Sequence, residues 1–333
     1  MQLEKTIPKQ VQKTSPGSIL VTGGAGRLGK RLIEECISKG ITVRALVKDK
    51  EDAMSLPYGT IPYIGDITSR DIVFDACKGV DTVYHLAAIV SQRDGGQKEI
   101  IRVNAEGTKL IMEAADIGGA KRIILTSTVD VYGSKRKDPL TEESELKPND
   151  IYGHSKMLAE KQITSFSGNI SYTILRLATI YGEEYKHSFF KIFDMINSDK
   201  AYLIGNGKNN LCLINIKDVL NALLLVRESK VAANKIYNLT DGMSYTQEQL
   251  FSLACTLLGK KEKLKHINEF MARLLSKKAG ITIDDLRFIT SNRVVSIEKI
   301  SKELEFKPKV DIKTGASELI KLYKMHKGVL NGT

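Results

Sequence analysis

The chain holds 333 residues, 42% of them apolar and 27% charged, the balance of an ordinary water-soluble globular protein. That length fits about two domains, or one large α/β domain with an appendage. Its longest strongly apolar run, 220–226, falls far short of the ~20 residues that span a bilayer, which excludes a membrane-spanning helix.

The formal net charge of +11 suits an anionic ligand. The lysines are scattered along the whole chain, with no basic block interleaved with aromatics, so no nucleic-acid partner is expected. Residues 1–17 carry Lys5, Lys9, Lys13, Pro8 and Pro16 and no apolar stretch. They read as a flexible tail, not a secretory signal. Cys36, Cys77, Cys212 and Cys255 form no C-x-x-C pair, so reduced thiols in a cytoplasmic protein are expected. The five histidines form no ligand cluster, and no metal site is expected.

The first strand is Ile19-Leu20-Val21. A glycine-rich run, Thr22 to Gly29, then opens a helix with Leu28, Leu32, Ile33 and Cys36 on its inner face and Gly40 at its end. Further strands are expected at 42–47, 61–64, 82–86, 122–127 and 171–177, with helical patterns between them, notably 104–115 and 151–166. Strands alternating with helices imply parallel pairing, right-handed crossovers and a doubly wound α/β sheet of Rossmann type. Beyond residue 180 the pattern turns helical, at 189–196, 216–228, 247–258 and 267–277. The expected division is a dinucleotide-binding domain at 18–180 and a small, mostly helical substrate lobe at 181–330, interleaved with the sheet. The lobe would lie beyond the carboxyl ends of the strands, where such sheets bind ligands.

Gly23-x-x-Gly26-x-x-Gly29 sits between a strand and a helix. There the glycines permit a tight turn and close backbone approach to a pyrophosphate, and the helix N-terminus offers free N–H groups to it. An acid at the end of the second strand would bind the ribose 2′-OH of NAD. This chain has Lys48 at that place, with Arg27 in the glycine loop. Two cations suit a 2′-phosphate and favour NADP over NAD. Asp49 follows directly, so a shift of one residue would reverse the preference.

Tyr152 and Lys156 are four apart on an expected helix, hence on one face. A nearby ammonium lowers the pKa of a phenol, so the pair can exchange protons near neutral pH. It lies about 125 residues after the glycine loop and follows the hydroxyl-rich strand end Thr126-Ser127-Thr128.

In combination these marks resemble the extended short-chain dehydrogenase/reductases of the NAD-dependent epimerase/dehydratase type. Others are Gly65-Asp66-Ile67, His85-Leu86-Ala87-Ala88, Asn104, Val131-Tyr132-Gly133, Leu175-Arg176, Ile180-Tyr181-Gly182, Asp218 and Tyr237-Asn238-Leu239. The resemblance implies that Tyr152 is the acid/base, Lys156 its partner and ribose ligand, and Thr128 the holder of the reacting oxygen. It implies that Asp66 and Ile67 contact adenine, that the backbone of 85–88 lines the cofactor, and that Asn104 shapes the site beside the lysine. Leu28 belongs to the phosphate loop. A homodimer through a four-helix contact that includes the Tyr152 helix is implied in the same way.

Departures from the family pattern narrow the reaction. Val129 stands where sugar dehydratases carry an acid, which argues against dehydration. Leu211 stands where nucleotide-sugar enzymes often carry a diphosphate-binding arginine, with Lys208 the nearest substitute. Three functions stay open for a small-molecule substrate. The favoured one is hydride transfer to or from a carbonyl or alcohol. The others are epimerisation of a nucleotide sugar with tightly bound NAD, and a non-catalytic cofactor-binding scaffold. Phe189, Phe190 and Phe193 could line an apolar pocket, but their helical spacing favours core positions.

Overall fold

The computed structural model describes residues 17–91, 95–136, 138–263, 265–279 and 283–328, and the expected tail lies outside them except for Gly17. The central sheet begins with β1 (Ser18–Thr22), β2 (Thr42–Val47), β3 (Ile61–Ile64), β4 (Thr82–His85), β5 (Arg122–Thr128) and β6 (Ser171–Leu177). Four short strands follow: β7 (Thr179–Tyr181), β8 (Tyr202–Ile204), β9 (Asn210–Leu211) and β10 (Leu213–Asn215). The last sheet strand is β11 (Lys235–Leu239). The order across the sheet is β3-β2-β1-β4-β5-β6-β11, every pairing parallel. The order reverses between β1 and β4, which opens a crevice at their carboxyl ends.

Helices cover both faces, so the inner strands are apolar throughout. Ile19, Leu20 and Val21 of β1 have no solvent exposure. One face holds α1 (Arg27–Ser38), whose Leu28, Leu32, Ile33 and Cys36 are buried as its spacing predicts. Its end is set by Gly40, at φ +76. The other face holds α3 (Arg70–Cys77), α5 (Gly107–Ile117) and α6 (Ile151–Thr164). Asp150 caps α6 by accepting from the Gly153 N–H at 2.8 Å.

Two local readings change. First, a seventh sheet strand, β11, pairs with β6, and α8 (Ile216–Glu228) returns over the same face as α1. The segment 216–239 is thus part of the sheet layers. The short strands β7–β10 and two helices lie between β6 and β11, so the regular alternation of strand and helix did not mark it. Second, the helix expected at 267–277 starts later. Ile267 ends a strand, Lys265–Ile267, and Asn268 Oδ1 accepts the Met271 N–H to open the helix Glu269–Ala279.

The C-terminal lobe is built from α7 (Lys186–Asn197), α9 (Gln247–Leu258), α10 (Glu269–Ala279), α11 (Ile283–Thr290) and α13 (Ile312–His326). Phe190 and Phe193 pack edge-on against Tyr323, with ring centres 5.3 and 5.4 Å apart. The carboxylate of Asp218, buried on α8, accepts the backbone N–H groups of Lys309 and Val310 and so ties the segment before α13 to the sheet. Among the described residues no helix is long and apolar enough to cross a membrane.

A Cβ placed on Gly29 would lie 2.3 Å from the Gly23 carbonyl oxygen and 2.9 Å from Gly24 Cα. Neither backbone group can swing aside. Gly29→Ala is therefore expected to cost about 1–3 kcal/mol in urea unfolding and to weaken dinucleotide binding sharply.

Candidate active site

Gly23 turns the chain out of β1 at φ +70, and a Cβ there would meet the Ala87 backbone at 2.8 Å. Only glycine fits both the backbone conformation and the contact. Helix α1 then starts with no side-chain cap and no acid in its first turn, which leaves its N–H groups and positive dipole end for an anion. This cradle fits the pyrophosphate of a dinucleotide.

Beside it lies a cavity of about 1140 Å³. Its wall gathers Gly23, Gly26, Arg27, Leu28, Gly29, Leu86, Ala88, Thr128, Tyr152 and Lys156. Lys48, Asp66, Ile67, Ala87 and Asn104 are not part of that wall. Arg27 stacks over the Tyr185 ring at 5.3 Å. Lys48 is exposed just past β2, while Asp49 Oδ1 accepts the Asp52 N–H and caps α2 (Lys50–Met54). Asp66 accepts from the Thr68 N–H and hydroxyl and from Arg102. Burial opposes them, yet these donors hold its carboxyl below the usual value. Ile67 is buried against Gly107, and the Ala87 N–H donates to Thr22 Oγ1.

The catalytic edge is built from β5 and α6. Thr128 ends β5, and its Oγ1 accepts the Asp130 N–H and donates to Asp130 Oδ2, each at 3.1 Å. Arg293 Nη1 reaches back from the lobe to Asp130 Oδ1 at 2.7 Å and to the carbonyls of Val129 and Gly133. Sequence reading missed Arg293. It sits 163 residues from Asp130, and no local pattern marks it.

Asn104 connects the remaining parts. Its side chain bonds both backbone groups of Ile89 and donates to Ser155 Oγ, which in turn donates to the Tyr152 carbonyl. Asn104 stands in a π-helical turn, Arg102–Glu106, between α4 (Gln97–Ile101) and α5. Such a turn inserts an extra residue and re-aims a side chain. Below the site, Glu160 accepts from Ser127 at 2.5 Å and pairs with Arg176 at 2.7 Å. Arg176 also donates to Tyr132, which donates to Asn238 on β11.

Burial lowers the Lys156 ammonium to about 8, with Glu160 opposing. Burial, and then the carboxylates of Asp130 and Asp150, raise the phenol of Tyr152 above its ordinary value. Tyr152 is therefore protonated at neutral pH and set to donate. Burial also pushes His85 down to about 3, with Lys156 adding to the effect, so its ring is neutral between Thr22 and Thr108.

Leu211 is buried on β9, and Lys208 is exposed outside the cavity wall, so neither offers a cation to a substrate diphosphate there. Phe189 lines the cavity, whereas Phe190 and Phe193 belong to the lobe core.

The model of the NAD dependent epimerase/dehydratase family matches residues 19–240, and the chain belongs to that family. It is an enzyme of the NAD(P)-dependent short-chain dehydrogenase/reductase type, related to epimerases, dehydratases and dehydrogenases. The N-acetyl-alpha-D-glucosaminyl-diphospho-ditrans,octacis-undecaprenol 4-epimerase of Escherichia coli O157:H7 is 27% identical over 86% of this chain and 85% of its own length. A 4-hydroxy-2-methyl-3-oxo-4-farnesyl-3,4-dihydroquinoline-1-oxide ketoreductase of Stigmatella aurantiaca is 25% identical over 90% of this chain and 94% of its own. The crystal structure of UDP-glucose 4-epimerase from Thermotoga maritima shares the fold, with a TM-score of 0.78 at 22% identity over 93% of this chain and 99% of that one.

Two measurements follow from the buried charges. Below pH 8 the ligand-free protein holds a buried Lys156 ammonium at a cost. Between about 8 and the ordinary 10.5 the unfolded chain binds a proton that the folded chain does not, so this group makes stability rise with pH. Lys156→Met should raise stability at pH 7 and flatten that rise in denaturant titrations. Arg176→Met leaves Glu160 buried and unpaired. It should cost about 3–5 kcal/mol in urea unfolding.

Proposed function

We propose that this enzyme catalyses NADP(H)-linked interconversion of a carbonyl and an alcohol on a substrate with an apolar body. The observation that carries the reading is the shape of the cavity. It runs from Thr128, Tyr152 and Lys156 into a wall of aliphatic and aromatic side chains from α7, β8, α9 and α11, among them Phe189, Ile192, Phe251 and Phe288. Its volume of about 1140 Å³ exceeds the ~300–1,000 Å³ of a pocket for one small ligand, which leaves room for substrate beside a cofactor. The names of the Escherichia coli and Stigmatella aurantiaca relatives carry an undecaprenol and a farnesyl group, which supports an apolar substrate.

Gly23, Gly26, Arg27, Leu28 and Gly29 would hold the pyrophosphate, and Leu86, Ala87 and Ala88 would flank the cofactor. Asp66 and Ile67 would meet the adenine, and Asn104 would support the site through Ser155. Lys48 would face a 2′-phosphate, a reading supported by Asp49 being engaged as a helix cap. When bound, a nicotinamide dinucleotide supplies or accepts the hydride. Thr128, oriented by Asp130, holds the reacting oxygen. Tyr152 gives that oxygen its proton in reduction and takes it back in oxidation. Lys156 stabilises the phenolate that remains. Buried free thiols suit a reducing compartment such as the cytoplasm. The homodimer through a four-helix contact that includes α6 belongs to the same proposal.

A second reading, nucleotide-sugar epimerisation with NAD retained through each cycle, is favoured by the epimerases among the relatives. Mass spectrometry of nucleotide released on denaturation separates the two. Stoichiometric NAD would establish the epimerase and overturn the proposal. An empty site that binds exchangeable NADPH more tightly than NADH supports it. Tyr152→Phe should then lower turnover of apolar aldehydes or ketones by about 10²–10⁴-fold while NADPH still binds. Lys48→Glu should weaken NADPH at least about tenfold relative to NADH in fluorescence titration.

A further inference from the structure

Helix α10 contributes to the cavity wall and also exposes apolar side chains to solvent. Ala272 and Leu275 line the cavity. On the same helix Phe270 is 68% exposed and Leu274 54%, with Met271 at 42%. Phe270 and Leu274 are four residues apart, and so are Met271 and Leu275, so two adjacent ridges of large apolar side chains meet solvent. No other described helix exposes so many large apolar side chains. An exposed patch of this kind marks an interaction surface.

The chain just before α10 indicates what covers the patch. Lys260, Lys261, Lys263, Lys265 and His266 are all exposed between α9 and α10. Glu262 and Leu264 interrupt the run, the Glu262 carboxylate accepting from Ser252, and Lys263 pairs with Asp199 in an exposed contact at 3.0 Å. Lys200 lies in the cavity wall on the same lobe. A run of lysines leading into a helix with a Phe/Met/Leu face combines attraction to anionic headgroups with apolar groups that enter the headgroup–acyl boundary. A surface for a second protein copy would not need the adjacent positive charge, since an identical copy would repel it.

We propose that α10 and the preceding lysines dock on an anionic phospholipid bilayer. In that pose the α10 side of the cavity wall faces the lipid, and an apolar substrate passes from bilayer to cavity along the α10 ridges. The docking does not depend on which reaction the site performs.

The test is flotation of the purified full-length protein with vesicles of phosphatidylcholine alone or mixed with phosphatidylserine. Binding to the mixed vesicles is expected, falling as salt is raised, with little binding to phosphatidylcholine alone. Phe270→Ser with Leu274→Ser should lower the partition coefficient about tenfold or more. Lys260→Glu with Lys261→Glu should abolish binding at moderate salt. Both variants change exposed positions outside the proposed cofactor site, so their thermal midpoints and NADPH binding should match wild type. Failure of wild type to bind the mixed vesicles overturns the proposal, as does unchanged binding by the Phe270/Leu274 variant. It is equally overturned if the wild type is an oligomer in solution that the Phe270/Leu274 variant dissociates, because the patch then belongs to a second copy.

Discussion

Glu160 and Arg176 meet at 2.7 Å where α6 crosses β6, and both side chains are almost wholly buried. Two charges taken out of water need every remaining lone pair and proton satisfied. Ser127, Tyr132 and the Glu142 carbonyl supply that, and Asn238 completes the chain of donors through Tyr132. The cluster therefore joins β5, β6, β11, the turn after β5 and the catalytic helix at one point. Apolar packing could press α6 onto the sheet, but it would tolerate sliding. The bidentate geometry of a guanidinium on a carboxylate does not. Lys156 lies one turn above Glu160, and Tyr152 one turn above that, so their height over Thr128 follows from this pair.

The same economy governs the upper side of the site. Thr128 is held by Asp130, and Asp130 by Arg293, which comes from the chain just before α12 (Glu298–Leu304). The lobe thus orients the group at the end of the sheet as well as forming the far wall of the cavity. A rearrangement of the lobe that moved Arg293 would release Asp130 and with it the Thr128 hydroxyl. Under the proposed function, substrate seating and the position of the Thr128 hydroxyl would be coupled through one cation.

Electrostatics at the centre run against the simplest reading of a tyrosine beside a lysine. The low dielectric around α6 penalises both charged forms, the phenolate and the ammonium. Asp130 and Asp150 then raise the phenol further, while Glu160 only partly restores the lysine. Burial thus keeps the tyrosine protonated at neutral pH and brings the lysine down to about 8. Under the proposed reaction, that combination suits a phenol that donates its proton.

The sequence by itself determined the layered α/β sheet, the glycine turn after β1 and the helix that carries Tyr152 and Lys156 one turn apart. Each rests on short-range rules: strand and helix periods, the positive φ open to Gly23, and the i, i+4 spacing of a helix. Ile267 and β11 show where those rules weaken: both lie past the regular run of alternating strands and helices, among short elements of the C-terminal half. The tertiary structure alone decided that Arg293 reaches Asp130, that Glu160 and Arg176 share one buried network, that Phe189 faces the cavity while Phe190 and Phe193 do not, and that burial raises the phenol of Tyr152. These depend on which distant segments meet and how much water they exclude, and neither quantity is written in any local stretch of the chain.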